Sequence, residues 1–151
     1  MQLDELDDLY REVILDHYRR SRNPQHLADA EVQADGNNPF CGDEVALQVK
    51  LNGRGVIQAM GRQGKGCAIS QASASMLTEV LQGKTLQEAE RLGRAFRRMM
   101  QGEPLQAQER EALGPLEALE GVRKFPIRIK CALLAWSILE EGVESYRRRQ
   151  G

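Results

Sequence analysis

The sequence predicts an α+β fold, a small and mostly antiparallel sheet with helices packed on it. Three observations carry this. Val45, Leu47, Val49 and Leu51 alternate with polar residues, the period of a half-buried strand. Asn52-Gly53-Arg54-Gly55 is a hairpin turn signal, and residues 56–62 return as the next strand. On both sides of this hairpin the apolar period becomes helical, so helices and strands are segregated along the chain.

The first helix is expected over residues 3–20, where Leu6, Leu9, Tyr10, Val13, Ile14 and His17 recur at helical spacing. It gives way near Ser21-Arg22-Asn23-Pro24. Residues 27–35 are read as holding a short strand, and Asn37-Asn38-Pro39 as a turn or loop. Asp43 is accordingly expected on a loop ahead of the hairpin, outside the core. From Ala68 the spacing of Ile69, Ala72, Ser73, Met76, Leu77, Val80 and Leu81 predicts a helix that ends at Gly83, and its small residues allow close packing. Thr85 with Glu88 three residues on is a capping box, opening a helix to about Met100. Residues 101–121, polar and containing Pro104, Gly114 and Pro115, read as a surface insertion with a short helical piece. Pro126 then opens onto a last helix over residues 129–148.

A chain of 151 residues without repeat or linker is expected to be a single domain, residues 1–151. Its net charge of −1 gives no electrostatic reason to expect nucleic acid or an anionic membrane as partner. Residues 1–8 are acidic and lack the pattern of a signal peptide, and no apolar run is long enough to span a bilayer. A cytoplasmic location is expected, which suits reduced thiols.

The chain spends all 3 of its cysteines at breaks between loop and regular structure. Cys41 and Asp43 sit in Asn38-Pro39-Phe40-Cys41-Gly42-Asp43, Cys67 follows Gly64-Lys65-Gly66, and Cys131 follows Arg128-Ile129-Lys130. The hairpin brings the first and second of these places toward one sheet end. A lone intracellular cysteine is ordinarily a small buried hydrophobe. Here each lies beside glycine, proline or a cation, and a helix start favours the thiolate. Three thiolates and a carboxylate suit a tetrahedral zinc or an iron–sulfur cluster. His17 is read as a packing residue, His26 as solvated, and Met99-Met100 as helix packing. Gly64-Lys65-Gly66 lacks the phosphate-binding loop pattern.

Four segments together carry a resemblance: residues 9–18 (LYREVILDHY), 37–43 (NNPFCGD), 64–76 (GKGCAISQASASM) and 124–136 (KFPIRIKCALLAW). In this order they resemble the U-type iron–sulfur cluster assembly proteins, the group containing IscU, SufU and the N-terminal domain of NifU. The likeness is nearer to the SufU branch. Residues 101–121 look like the extra segment of that branch. IscU proteins carry Leu-Pro-Pro-Val-Lys, a chaperone-recognition stretch, and a histidine before the last cysteine. Here the stretch reads Lys124-Phe125-Pro126-Ile127-Arg128, and Lys130 stands before Cys131, which argues against docking of an IscU-type chaperone.

The resemblance implies a three-stranded antiparallel sheet covered by helices, and zinc bound by Cys41, Asp43, Cys67 and Cys131. It implies a pyridoxal-phosphate cysteine desulfurase of the SufS or IscS kind as partner, with Cys41 taking sulfane sulfur as a persulfide. Such a protein is a covalent sulfur carrier more than a turnover enzyme. The alternative is an IscU-like scaffold, on which Cys41, Cys67 and Cys131 hold a [2Fe–2S] cluster destined for downstream assembly proteins or apo-proteins. A purely structural zinc domain fits less well, because structural sites tend to use four strong, closed ligands.

Overall fold

The computed structural model describes residues 7–39 and 42–150. Its sheet is a three-stranded antiparallel meander: β1 (Val32–Asn38), β2 (Asp43–Leu51) and β3 (Ile57–Lys65), in the order β1-β2-β3. Five α-helices accompany it among the described residues: α1 (Asp8–Arg19), α2 (Ala68–Leu81), α3 (Leu86–Met100), α4 (Ala107–Leu113) and α5 (Pro126–Gln150). A 3-10 helix, Gly114–Lys124, links α4 to α5. Among the described residues no helix is long and apolar enough to cross a membrane. The predicted α+β architecture is the observed one.

The sheet runs further toward its open end than the alternation of 45–51 indicated. Asn37 pairs with Glu44 and Asn38 with Asp43, so both asparagines belong to β1 and Asp43 opens β2. Ladder pairing overrides the turn propensity of Asn-Asn here. Asp43 shares the inward parity of Val45, Leu47 and Val49, and is fully buried. The expectation that it lies on a loop outside the core is therefore corrected. On the other strand β3 continues past Arg62 to Lys65, pairing Gly64 with Val45 and Lys65 with Glu44.

Helix α2 is the centre of the molecule. Every residue from Ile69 to Thr78 is buried, because the helix is packed on by the sheet, α1, α5 and the 3-10 segment. Its serines make this close approach possible and find partners inside. Ser73 Oγ donates to the Ala132 carbonyl at 2.7 Å, and Ser75 Oγ accepts from the Arg22 amide at 2.8 Å. Helix α3 begins with the predicted Thr85–Glu88 capping box and buries Phe96, Met99 and Met100. Phe96 meets Trp136 of α5 with ring centroids 5.9 Å apart.

Residues 101–121 depart from expectation. They do contain a short helix, but Leu113, Leu116 and Leu119, with Val122 just beyond, are buried in the core. Their spacing of three matches a 3-10 helix, whose side chains at i and i+3 eclipse, so one apolar edge faces inward. From Leu113 the segment is part of the core wall, whereas residues 101–112 hold no buried residue and lie at the surface as expected. Residues 3–6 of the expected first helix lie outside the described residues. From Asp8 the helix is as predicted, capped by the Asp7 carboxylate accepting from Leu9 N–H at 3.0 Å.

His17, expected to pack, is buried against α2 with Nδ1 2.9 Å from Ser75 Oγ, whereas His26 is exposed. Ser75 Oγ, which also accepts the Arg22 amide, is thus the polar partner of the buried ring. Burial, with a smaller push from the Arg22 guanidinium, lowers the pKa of His17 below the ordinary histidine value. The unfolded chain therefore takes up this proton first as pH falls below about 6.5. Stability present at neutral pH is lost with acid until the folded form protonates too. Thermal denaturation from about pH 7 to about pH 5 is expected to show a falling Tm, with this component missing in His17→Gln. Equal slopes in the two proteins would mean that His17 does not carry it.

Candidate metal and sulfur site

The site lies where the open end of the hairpin meets the first turns of α2 and α5. Asp43 begins β2, Cys67 is the N-cap of α2, and Cys131 sits in the second turn of α5. Helix α5 starts at Pro126, a first-turn position that suits proline. Cys131 is therefore inside the helix and fully buried, deeper than its expected place at a boundary. One ligand atom from each of Asp43, Cys67 and Cys131 lies within 4.8 Å of the other two.

Each donor is held by local structure. Asp43 Oδ1 accepts the Cys67 backbone N–H at 2.8 Å, and Oδ2 lies 3.8 Å from Cys67 Sγ. Cys67 Sγ accepts the Ser70 backbone N–H at 3.4 Å, so the sulfur acts as the helix cap. Ser70 Oγ is 3.8 Å from the same sulfur. Around Cys131, Asn38 Nδ2 stands 3.7 Å and Arg128 Nη1 3.9 Å from Sγ. Both are donors, and both favour a thiolate over a thiol.

The glycines of Gly64-Lys65-Gly66 have a steric role here. Both take positive φ, 150° and 144°. A side chain at Gly66 would run into the Asp43 carboxylate, and one at Gly64 into the Glu44 backbone. Only glycine lets this strand end pass close enough for Asp43 to reach Cys67. Gly42, just before Asp43, also takes a positive φ, 67°, in open space.

The donor set fits a tetrahedral metal. Zinc–sulfur and zinc–oxygen bonds of about 2.3 and 2.1 Å place ligand atoms roughly 3.5–3.8 Å apart. The Asp43–Cys67 separation of 3.8 Å already matches, and the remaining spacings need only a small contraction. Cys67 is a free thiol. Cys41, predicted as ligand and reacting thiol, lies outside the described residues.

Some participants were not among the predicted site residues. Asn38 was read as part of a turn, and Ser70 as a packing residue. Gln71 and Arg62 were not singled out at all. Arg62 faces inward beside Met60 only because the ladder shifts register between Lys50 and Leu51; strict alternation from Ile57 would have turned it outward with the exposed Gln58.

Comparison with known proteins agrees with this architecture. The chain is 48% identical over 138 residues to the zinc-dependent sulfurtransferase SufU of Bacillus subtilis strain 168, covering 91% of each chain. It is 42% identical over 144 residues to the iron–sulfur cluster assembly scaffold protein IscU of Streptococcus pyogenes serotype M1, covering 95% of this chain and 88% of that one. Among solved structures it resembles a putative iron–sulfur cluster assembly scaffold protein for the SUF system from Fervidobacterium islandicum AW-1. That likeness has a TM-score of 0.80 and 35% identity, over 87% of this chain and 93% of the other. The sequence profile of the NifU-like N terminal domain matches residues 9–151, and the chain belongs to that family.

Proposed function

We propose that this protein serves iron–sulfur cluster assembly as a sulfur carrier, accepting sulfane sulfur from a pyridoxal-phosphate cysteine desulfurase on Cys41. The observation that carries this reading is the convergence of Asp43, Cys67 and Cys131 within 4.8 Å, in a chain 48% identical to a zinc-dependent sulfurtransferase. Cys41, two positions before Asp43 in sequence, is the proposed fourth ligand to zinc. When bound, the ion would keep the thiols deprotonated at neutral pH. The SufU-like reading of residues 101–121 supports sulfur transfer, as does the absence of the IscU-type stretch at 124–128. Reduced thiols suit the cytoplasm.

The transfer balances without an outside oxidant or reductant. The Cys41 thiolate attacks the outer sulfur of a persulfide on the desulfurase cysteine. The S–S bond there breaks, that cysteine leaves as a thiolate, and a persulfide remains on Cys41. Meanwhile the Ser70 amide holds Cys67 Sγ, and Asn38 Nδ2 approaches Cys131 Sγ. Asp43 supplies the harder and more exchangeable donor, so a ligand can leave without dismantling the two cysteine anchors. Downstream assembly proteins or apo-proteins would receive the sulfur.

The scaffold reading keeps one specific support, the 42% identity to a protein named as an IscU scaffold. In it the same residues would hold a [2Fe–2S] cluster as cargo. Desulfurase turnover with and without this protein separates the two. Strong stimulation that requires Cys41 favours the carrier. No stimulation, together with a stable reconstituted cluster, favours the scaffold.

Three outcomes follow from the carrier reading. Purified protein is expected to contain about one zinc per chain by elemental analysis, as a single tetrahedral site requires. Metal-free protein from a zinc-replete preparation with reduced thiols would count against it. Mass spectrometry after incubation with desulfurase and cysteine is expected to find the added sulfur on Cys41. Cys41→Ser should abolish loading, while Cys67→Ser or Cys131→Ser should chiefly lose zinc and stability. Added sulfur found only on Cys67 or Cys131 would overturn the assignment.

Asp43 gives the third test. Asp43→Asn keeps the shape but removes the charge, and Asp43→Ala also leaves the Cys67 N–H without its acceptor. Both should lower zinc affinity in a chelator competition by about tenfold or more. Asp43→Ala should additionally cost about 1–3 kcal/mol of metal-free stability relative to Asp43→Asn. Unchanged affinity in both variants would remove Asp43 from the ligand set.

A further inference from the structure

Arg62 is a buried cation without a counter-ion among the described residues. Its side chain points from β3 to the helix-covered face, opposite Leu47 and beside Met60 and Gly64 in parity, and the residue is only 7% exposed. Among the described residues it makes no ion pair, and its Nε has no hydrogen-bond partner. Burial alone lowers the pKa of its guanidinium, with no carboxylate opposing. Such a charge carries a large desolvation cost and calls for an anion.

Among the described residues, the one hydrogen bond of the guanidinium leads to the metal site. Arg62 Nη1 donates to Gln71 Oε1 at 3.5 Å. That contact fixes the orientation of the amide, because only the NH2 end can then face the other way. Gln71 Nε2 accordingly donates to Ser70 Oγ at 3.1 Å and to the Glu44 carbonyl at 3.3 Å. Ser70 in turn contacts Cys67 Sγ through both its amide, 3.4 Å, and its hydroxyl, 3.8 Å. A continuous polar chain therefore runs from a buried positive charge to a sulfur of the site. Glu44, which receives the second Gln71 bond, directly follows Asp43.

The metal reading supplies the missing anion. Two thiolates and a carboxylate already outweigh the charge of a divalent ion, so the filled site is negative even before a fourth ligand is counted. We infer that Arg62 is a positioning residue for the site: its buried charge offsets the excess negative charge of the filled ligand set, and through Gln71 it holds Ser70 against Cys67. This rests on the metal-binding reading above. It explains why a cation stands on an apolar strand face where a methionine would pack without cost.

The test exploits a difference in sign. Arg62→Met removes an uncompensated buried charge while keeping volume, so the metal-free protein should be at least as thermally stable as wild type. Zinc affinity, measured by chelator competition, should nevertheless fall by about tenfold or more. Arg62→Lys should recover part of it. Gln71→Met, which keeps the cation but cuts the chain, should weaken binding by a smaller factor. It should also shift the sulfur-to-metal charge-transfer band of the cobalt(II)-loaded protein, since the Cys67 sulfur loses its polar support. Arg62→Met with wild-type zinc affinity and raised stability would overturn the inference. If Arg62→Met fails to fold, Gln71→Met decides, and unchanged affinity and spectrum there would overturn it equally. Wild type that binds no zinc in the same titration would overturn the underlying metal reading.

Discussion

The arrangement turns on one hydrogen bond, from the Cys67 amide to the Asp43 carboxylate. At 2.8 Å it joins the first residue of β2 to the N-cap of α2. A bond of this kind, with a charged acceptor, contributes about 1.5–3 kcal/mol, and it also sets a carboxylate at the positive end of a helix. Its reach depends on two glycines, because any side chain at Gly64 or Gly66 would push the strand end away from β2. Once the bond forms, the sheet end and the helix start cannot drift apart. Cys67 Sγ is then directed at the space beside Asp43 Oδ2.

The second anchor reaches the site through α2. Ser73 Oγ binds the carbonyl of Ala132, the neighbour of Cys131, at 2.7 Å. Helix α2 thus holds one cysteine at its own N-cap and ties the helix carrying the other to itself less than two turns further on. The small residues of α2 permit this because their side chains keep the neighbouring elements close. Larger residues would keep α5 at a distance and open the Cys67–Cys131 spacing. The core around Met76, Leu77 and Leu81 then makes the scaffold stiff where the ligands need it to be.

Much of this was legible in the chain. The hairpin, the Thr85 capping box and the helical stretches followed from period and turn chemistry. What escaped has physical causes that can be named. Asn37 and Asn38 have strong turn propensity, and only the pairing across to Glu44 and Asp43 makes them strand. Asp43 lies on the inward parity of Val45, Leu47 and Val49, but a carboxylate on that register reads as the end of the strand until a partner N–H is known. Leu113, Leu116, Leu119 and Val122 repeat every three residues, a period easily passed over beside the commoner periods of 3.6 and 2. The site residues Asp43, Cys67 and Cys131 were visible as residue types in unusual places. Ser70, Gln71 and Arg62 were not, because their roles exist only in three-dimensional contact.

The site is built unevenly, and the unevenness bears on its chemistry. Asp43 and Cys131 have no solvent exposure, whereas Cys67 is partly exposed and Gly64, Lys65 and Gly66 beside it are open. Ile127, at the start of α5, is among the most exposed large apolar residues. A structural zinc site is closed on all sides, since its worth lies in holding the fold. Here the rear is dry and hydrogen-bonded while one side faces solvent, so Cys67 can be reached without the core opening. That combination suits a protein that must keep its ligands in register while its cargo comes and goes.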